Sequence, residues 1–218
     1  SPNKKDKPKP TVAMEYTFGR RSSGGSAKDI AHIWELGGGK KFWPDSLISV
    51  YKNRGGQFIS DINANIDSNK RLLGLFSDSG LEKVHNGRDV STTQMAKLAL
   101  ENLDKDPDGF FVMIEESQVD WGGHSNSAEY IKGEMKSLND LVNFVLDYQS
   151  EHPDVLVVLT ADHECGGVAV HDGSNGDLDV RFTSDYHSAN FVPIWATGPG
   201  ASVFDAFMDN TEIGKRLI

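Results

Sequence analysis

A single cysteine, Cys165, stands in 218 residues, so no disulfide can form within the chain. No apolar run reaches the roughly 18 residues that a membrane-spanning helix needs, and no signal-peptide pattern is visible. Positive charge is also scarce: 22 Lys and Arg against 32 Asp and Glu give a net charge of −10. A surface of that sign repels nucleic acid and anionic lipid, so neither is expected as a partner. Phosphate stays in play, because bound divalent cations reverse the field around acidic ligands. No Walker spacing follows the glycine triplet Gly37 to Gly39, so a P-loop is not expected there. With 38% hydrophobic and 25% charged residues, the composition fits one globular domain with a real core.

The first ten residues, SPNKKDKPKP, read as an extended tail. TVAMEYTF reads as a short strand, and Gly19 to Ala27 as a flexible connector in which Ser22, Ser23 and Ser26 are solvated linker residues. Three glycines after Leu36 suit a sharp turn following a strand. PDSLISVYKNRGG fits a helix closed by a glycine C-cap, and QFISDI and KRLLGLFS fit short strands. His85 and Arg88, in a polar loop, read as surface residues. Ser91 to Leu103 is an amphipathic helix with Met95, Leu98, Ala99 and Leu103 on one face. FFVMIE is a buried strand, Ser127 to Glu151 a long helix, VLVVLT and FVPIWATG two further buried strands. HDGSNGDLD reads as a polar loop, and a last helix starts near Asn210. Strands that are apolar throughout, alternating with helices, indicate an α/β domain with a largely parallel sheet.

Chemistry concentrates at the ends of these apolar runs. Glu115 closes the first, and Asp120 and His124 follow it at offsets of five and nine. His124 lies four positions after Asp120, one turn if the segment is helical, which lets both meet one ion. Asp162 and His163 sit side by side after VLVVLT, and His187 lies just before the third strand. Carboxylates and imidazoles at rigid strand ends are a divalent-cation donor set. One Asp-His pair is more often a capped turn; two pairs with a further acid and a third histidine favour metal.

These segments resemble those of a known family. EESQVDWGGHSN resembles the E-G-S-Q-I-D-x-x-x-H-x-N segment of alkaline phosphatases, and LTADHECGG their T-A-D-H-E-T-G-G. HSANFVPIWATGPGA is similar to H-T-x-x-x-V-P-V-x-A-x-G-P-G-A, and DNTEIGKRL to its sequel. The resemblance implies a three-layer α/β sandwich around a largely parallel central sheet. It also implies two zinc ions and one magnesium. Asp120, His124 and His187 would hold one zinc, Asp162 and His163 the second, and Glu115 the magnesium. Glu164 and Cys165 match positions without a metal role; Cys165 stands where threonine is usual, and Glu116 where glycine is usual.

The family's D-G-M-G aspartate, its D-S-A-x-A-T serine nucleophile, its magnesium-site threonine and its phosphate-gripping arginine find no match. The resemblance therefore implies a domain over residues 30–218 corresponding to the C-terminal half of a family member, truncated at the N-terminus, behind a tail and linker over 1–29. It further implies a phosphate monoester substrate, weak or absent turnover by the isolated chain, a periplasmic or secreted location, and a homodimer or a missing N-terminal portion as partner. The rival readings are a related metal-dependent phosphomutase and a non-catalytic metal-binding fragment.

Overall fold

The structure, a computed structural model, describes residues 14–17, 33–107 and 109–217. The chain divides into two compact units, Ser1–Glu116 and Ser117–Ile218. The expected tail and linker over 1–29 lie outside the described residues except for 14–17.

In the first unit, β1 (Met14–Thr17), β2 (Ile33–Gly37), α1 (Asp45–Asn53), β3 (Gln57–Ile59), β4 (Leu72–Leu75) and α2 (Thr92–Leu103) follow one another. The sheet order is β1-β2-β4-β3, with β4 parallel to both β2 and β3 and β1 antiparallel to β2. β4 sits between two strands, and the sequence LLGL is buried along its whole length, as a run without polar alternation requires. A Cβ on Gly74 would come within 2.7 Å of Leu36 Cδ2, so the strand has room only for glycine there. Leu36, Ile59 and Leu72 of the sheet form one cluster with Met95, Ala99 and Leu103 of α2, positions spaced three or four apart as one helix face demands. Ser91 and Gln94 close the start of α2 as a capping box.

The glycine triplet does make the expected turn, and the structure shows what fills it. Gly39 adopts φ 86°, open to glycine and costly to other residues. The amides of Gly39, Lys40 and Lys41 donate to the carbonyls of Ser79, Ser77 and Asp78 at 2.6, 3.0 and 2.9 Å. Those donors are spent on the protein's own backbone, so no phosphate cradle exists there.

Residues 110–116 depart from expectation. FFVMIE pairs into no sheet among the described residues, yet Phe110, Val112 and Ile114 pack on the core while Phe111 and Met113 are exposed. The segment keeps a strand's period of two without a ladder. Arg88, expected at the surface, is instead buried at its side chain and paired with Glu116 at 2.9 Å, the two side chains keeping 4% and 5% of their surface.

The second unit runs α3 (Gln118–His124), α4 (Ala128–Glu151), β5 (Val157–Thr160), β6 (Glu164–Cys165), β7 (Ala169–Asp172), β8 (Leu178–Arg181), β9 (His187–Ser188), β10 (Ile194–Thr197) and α5 (Asn210–Leu217). Its strands pair antiparallel, β5 with β10, β6 with β9 and β7 with β8, so parallel pairing belongs to the first unit. The stretch read as a polar loop is the β7–β8 hairpin, turning through Asn175 and Gly176 at φ 60° and 81°. Ser127 caps α4 by accepting from the Tyr130 amide. The buried stripe of α4 is Tyr130, Glu134, Ser137 and Leu141, while Met135 and Leu146 are exposed. The Tyr130 hydroxyl donates to Gln118 Oε1 at 2.7 Å, and a Cβ on Gly122 would meet Ile131 at 2.7 Å. The two helices approach closely because α3 presents glycine to α4.

Candidate metal centre

α3 has the helical geometry that the spacing of Asp120 and His124 called for. Both side chains leave one face of the helix, and Asp120 Oδ2 lies 3.4 Å from His124 Nε2. Gly123 on the same helix packs against β6: its Cβ, if present, would fall 2.9 Å from the Cys165 carbonyl oxygen. That contact carries β6 to the helix, and the register of β6 with β9 does the rest. Cys165 pairs with His187, and Glu164 with Ser188. Successive residues of a strand point to opposite faces. Cys165 and His187 therefore turn to the α3 side, while Glu164 and Ser188 turn away and bond each other.

The result is a cluster of Asp120, His124, Cys165 and His187 whose donor atoms all lie within 4.8 Å of one another. His124 Nε2 is 3.1 Å from His187 Nε2, and His187 Nε2 is 3.2 Å from Asp120 Oδ1. The side chains of Asp120, His124 and His187 keep 31%, 33% and 35% of their surface, so the cluster is lined by protein yet open to solvent.

Proton positions follow from the neighbours. His124 Nδ1 lies 2.7 Å from the Asp185 carbonyl oxygen, which only accepts, so Nδ1 carries the hydrogen. In neutral His124 the Nε2 lone pair is bare and aimed at His187 and Asp120. In that tautomer the ring N–H is spent on a backbone carbonyl and the other nitrogen is left for a metal, an arrangement common among metal-ligating histidines. Asp120 Oδ1 is buried and accepts no hydrogen bond, its approach to His187 being an ion-pair distance only. An orphaned carboxylate oxygen between imidazole nitrogens costs free energy unless a cation meets it. The donor set therefore fits zinc, which takes imidazole nitrogen, carboxylate oxygen and thiolate sulfur.

His163 stacks on His187 with ring centres 3.5 Å apart, and Tyr186 covers His187 and touches His124. Asp162 Oδ2 is 3.3 Å from His163 Nε2, with its side chain 87% exposed, and His163 Nδ1 is buried without a partner. The second expected pair thus borders the first set through His163, and Asp162 faces solvent. Glu115 belongs to the first unit and is exposed.

Cys165 was singled out in the sequence but given no metal role, because its motif position carries none; two further contributors left no side-chain signal. The Asp185 carbonyl is a backbone group that no side-chain pattern reports. Ser188 donates to Glu164 Oε2. Burial acts to raise the Glu164 pKa, but the Ser188 hydroxyl and the amides of Val168 and Gly167 outweigh it and hold the carboxyl below its usual range. The Cys165 thiol is pushed up to about 12, by burial first and by the adjacent Asp120 next; without a cation it is a protonated thiol.

A family model described as "Alkaline phosphatase" matches residues 24–176, a span containing Asp120, His124, Asp162, His163 and Cys165 and ending before His187. Alkaline phosphatase 3 of Bacillus subtilis is 35% identical over 147 residues, 65% of this chain and 31% of that protein. A 44-residue stretch, 20% of this chain, is 60% identical to cytoplasmic dynein 2 light intermediate chain 1 of Homo sapiens, of which it spans 12%. The alkaline phosphatase of the Antarctic bacterium TAB5 superposes with a TM-score of 0.74 at 27% identity, over 84% of this chain and 58% of that one. A mutant of that enzyme has been solved with Mg bound in its M3 site. The chain thus spans about a third of the length of the curated phosphatase it matches, and somewhat over half of the solved one.

Proposed function

Because this chain belongs to the alkaline phosphatase family, we propose that its metal cluster serves the hydrolysis of phosphate monoesters. Asp120, His124 and His187 would hold one zinc, Asp162 and His163 would contribute to a second, and Glu115 would be the one magnesium ligand the chain supplies. Held by those three residues, a zinc ion would supply Lewis-acid chemistry toward a phosphoryl oxygen. The protein's own part is preorganisation. Asp120 brings negative charge to the centre of the cluster, and the Asp185 carbonyl keeps His124 in its Nε2-donor form. The His163 and Tyr186 rings both stack on His187 and hold it in place. Glu164 is kept out of the cluster by its bonds to Ser188 and the Val168 amide.

The observation that carries this reading is the 3.1 Å approach of two imidazole Nε2 atoms beside a buried, unbonded carboxylate oxygen. We place the protein in the periplasm or outside the cell and pair it with a second copy of itself or with a missing N-terminal portion. Its unmatched nucleophile leads us to expect weak or absent turnover by the chain alone.

The test is turnover of p-nitrophenyl phosphate by the chain with zinc and magnesium added, beside metal analysis of the same sample. Bound zinc lost in Asp120→Asn, with at most weak turnover, fits the proposal. Turnover typical of an intact family enzyme would overturn the expected weakness. Zinc content unchanged by Asp120→Asn would overturn the site. Phosphate retained on the same substrate instead of released to water would indicate a mutase.

A further inference from the structure

We propose that Cys165 is a fourth protein ligand of the first zinc, closing an Asp-His-His-Cys set with Asp120, His124 and His187. The inference rests on reading this cluster as a zinc site and adds a donor to it.

Geometry carries the argument. Donors about 2.0–2.3 Å from a tetrahedral zinc lie roughly 3.3–3.7 Å from each other. The three measured separations among Asp120, His124 and His187 are 3.1, 3.2 and 3.4 Å. The sulfur already lies within 4.8 Å of a donor atom of each of those residues, so a contraction of at most about 1.5 Å completes the set. Two independent features hold Cys165 there: the cross-strand register with His187 and the glycine contact from α3. The sulfur belongs to the same cluster of donor atoms as the Asp120 carboxylate. A cysteine serving as packing filler faces apolar neighbours; this one faces three ligating side chains.

Charge favours the same arrangement. Zinc with one carboxylate and two neutral imidazoles carries one net positive charge. With a thiolate added the centre is neutral, and a neutral centre in a partly buried site suffers less from lost hydration. The thiol proton leaves to water as the ion takes its place, since a coordinating thiol is deprotonated whatever its free pKa. Sulfur also biases the site toward zinc and against magnesium. Four protein donors make a closed site, whereas catalytic zinc keeps a position open. Phosphate would then reach this ion only by expansion to five ligands or by release of the thiolate.

X-ray absorption at the zinc edge of the zinc-loaded full chain decides the matter. The chain has one cysteine, so a thiolate at the ion can only be Cys165. The expected spectrum contains one sulfur at about 2.3 Å, absent from both Cys165→Thr and Cys165→Ser. Competition with a chelator should show zinc held less tightly in both variants, by at least the roughly 10–100-fold that loss of an outer-shell partner costs. Circular dichroism of the variants guards against a folding defect. A wild-type spectrum of nitrogen and oxygen alone, with zinc still lost in Asp120→Asn, overturns the cysteine ligand and leaves the site intact. Zinc binding indifferent to Asp120→Asn and His187→Ala overturns both.

Discussion

Glu115 and Glu116 are neighbours in sequence with opposite surroundings. Glu115 is exposed, whereas the Glu116 side chain is buried against Arg88. The period of two explains the difference: Phe110, Val112 and Ile114 face the core, and Glu116 continues that parity. Arg88 meets it while also donating to the Glu82 carbonyl at 2.7 Å. Removing one member of a buried pair costs about 3–5 kcal/mol, whereas replacing both by apolar residues of similar volume is often neutral. Arg88→Met should therefore lower the unfolding free energy by about that amount, and Arg88→Met with Glu116→Leu should restore most of it. Urea unfolding of the two variants reads this directly; a single-variant loss below about 1 kcal/mol would mean that the pair is screened by water. The sequence showed that Glu115 closes the apolar run but not which of the two neighbouring acids turns inward, because both parities of the run begin apolar. Only the inward residues' contacts with α2 and the sheet break the tie. The place of Cys165 in the cluster was illegible for another reason, since its neighbour His187 is 22 positions away and the β6–β9 register alone brings them together.

At the scale of the elements, the site is made by α3 pressing on β6. Gly123 is the point of contact. A methyl group there would stand 2.9 Å from the Cys165 carbonyl oxygen and 3.0 Å from its carbonyl carbon and Cβ. Backbone on both sides leaves nothing soft to yield. Gly123→Ala gains about 0.5–1 kcal/mol of helix propensity, and overpacking costs about 1–3 kcal/mol, so the variant should be less stable and should hold zinc more weakly. Calorimetry of the metal-free form and a chelator competition separate those effects; a variant as stable and as tightly loaded as the parent would show that β6 is free to move away. The i, i+4 pair on α3 was readable because helical spacing is local, and so was the capping box at Ser91 and Gln94. The β7–β8 hairpin also left a local signal, Asn175-Gly176 between short apolar stretches, which is a strong turn indicator; its surrounding Asp, Ser and Gly residues disguised it as a loop. The α/β class was legible from β4, buried end to end. The antiparallel pairing of β5 with β10 was not, because an apolar run reads the same in either direction.

For the molecule as a whole, net charge and exposed aromatics act against each other. In the second unit Phe191 and Phe207 keep 89% and 92% of their surface and pack edge to face with ring centres 5.5 Å apart, and Trp195 keeps 59%. Large apolar side chains grouped at a surface mark contact sites, and the β5–β10 ribbon has no third strand among the described residues to cover its edges. A net charge of −10 opposes self-association. Salt distinguishes the two influences. Raising ionic strength to about 0.1 M shortens the screening length to about 10 Å, which weakens repulsion between copies and leaves apolar burial in force. If the aromatic face joins two chains, sedimentation velocity should show the dimer fraction rising with salt. Phe191→Ser with Phe207→Ser should abolish that rise while leaving zinc content unchanged, since neither residue belongs to the metal cluster. A dimer that weakens with salt would be held by charge instead, and a monomer at every salt concentration would leave the aromatic face with no second copy to bury it.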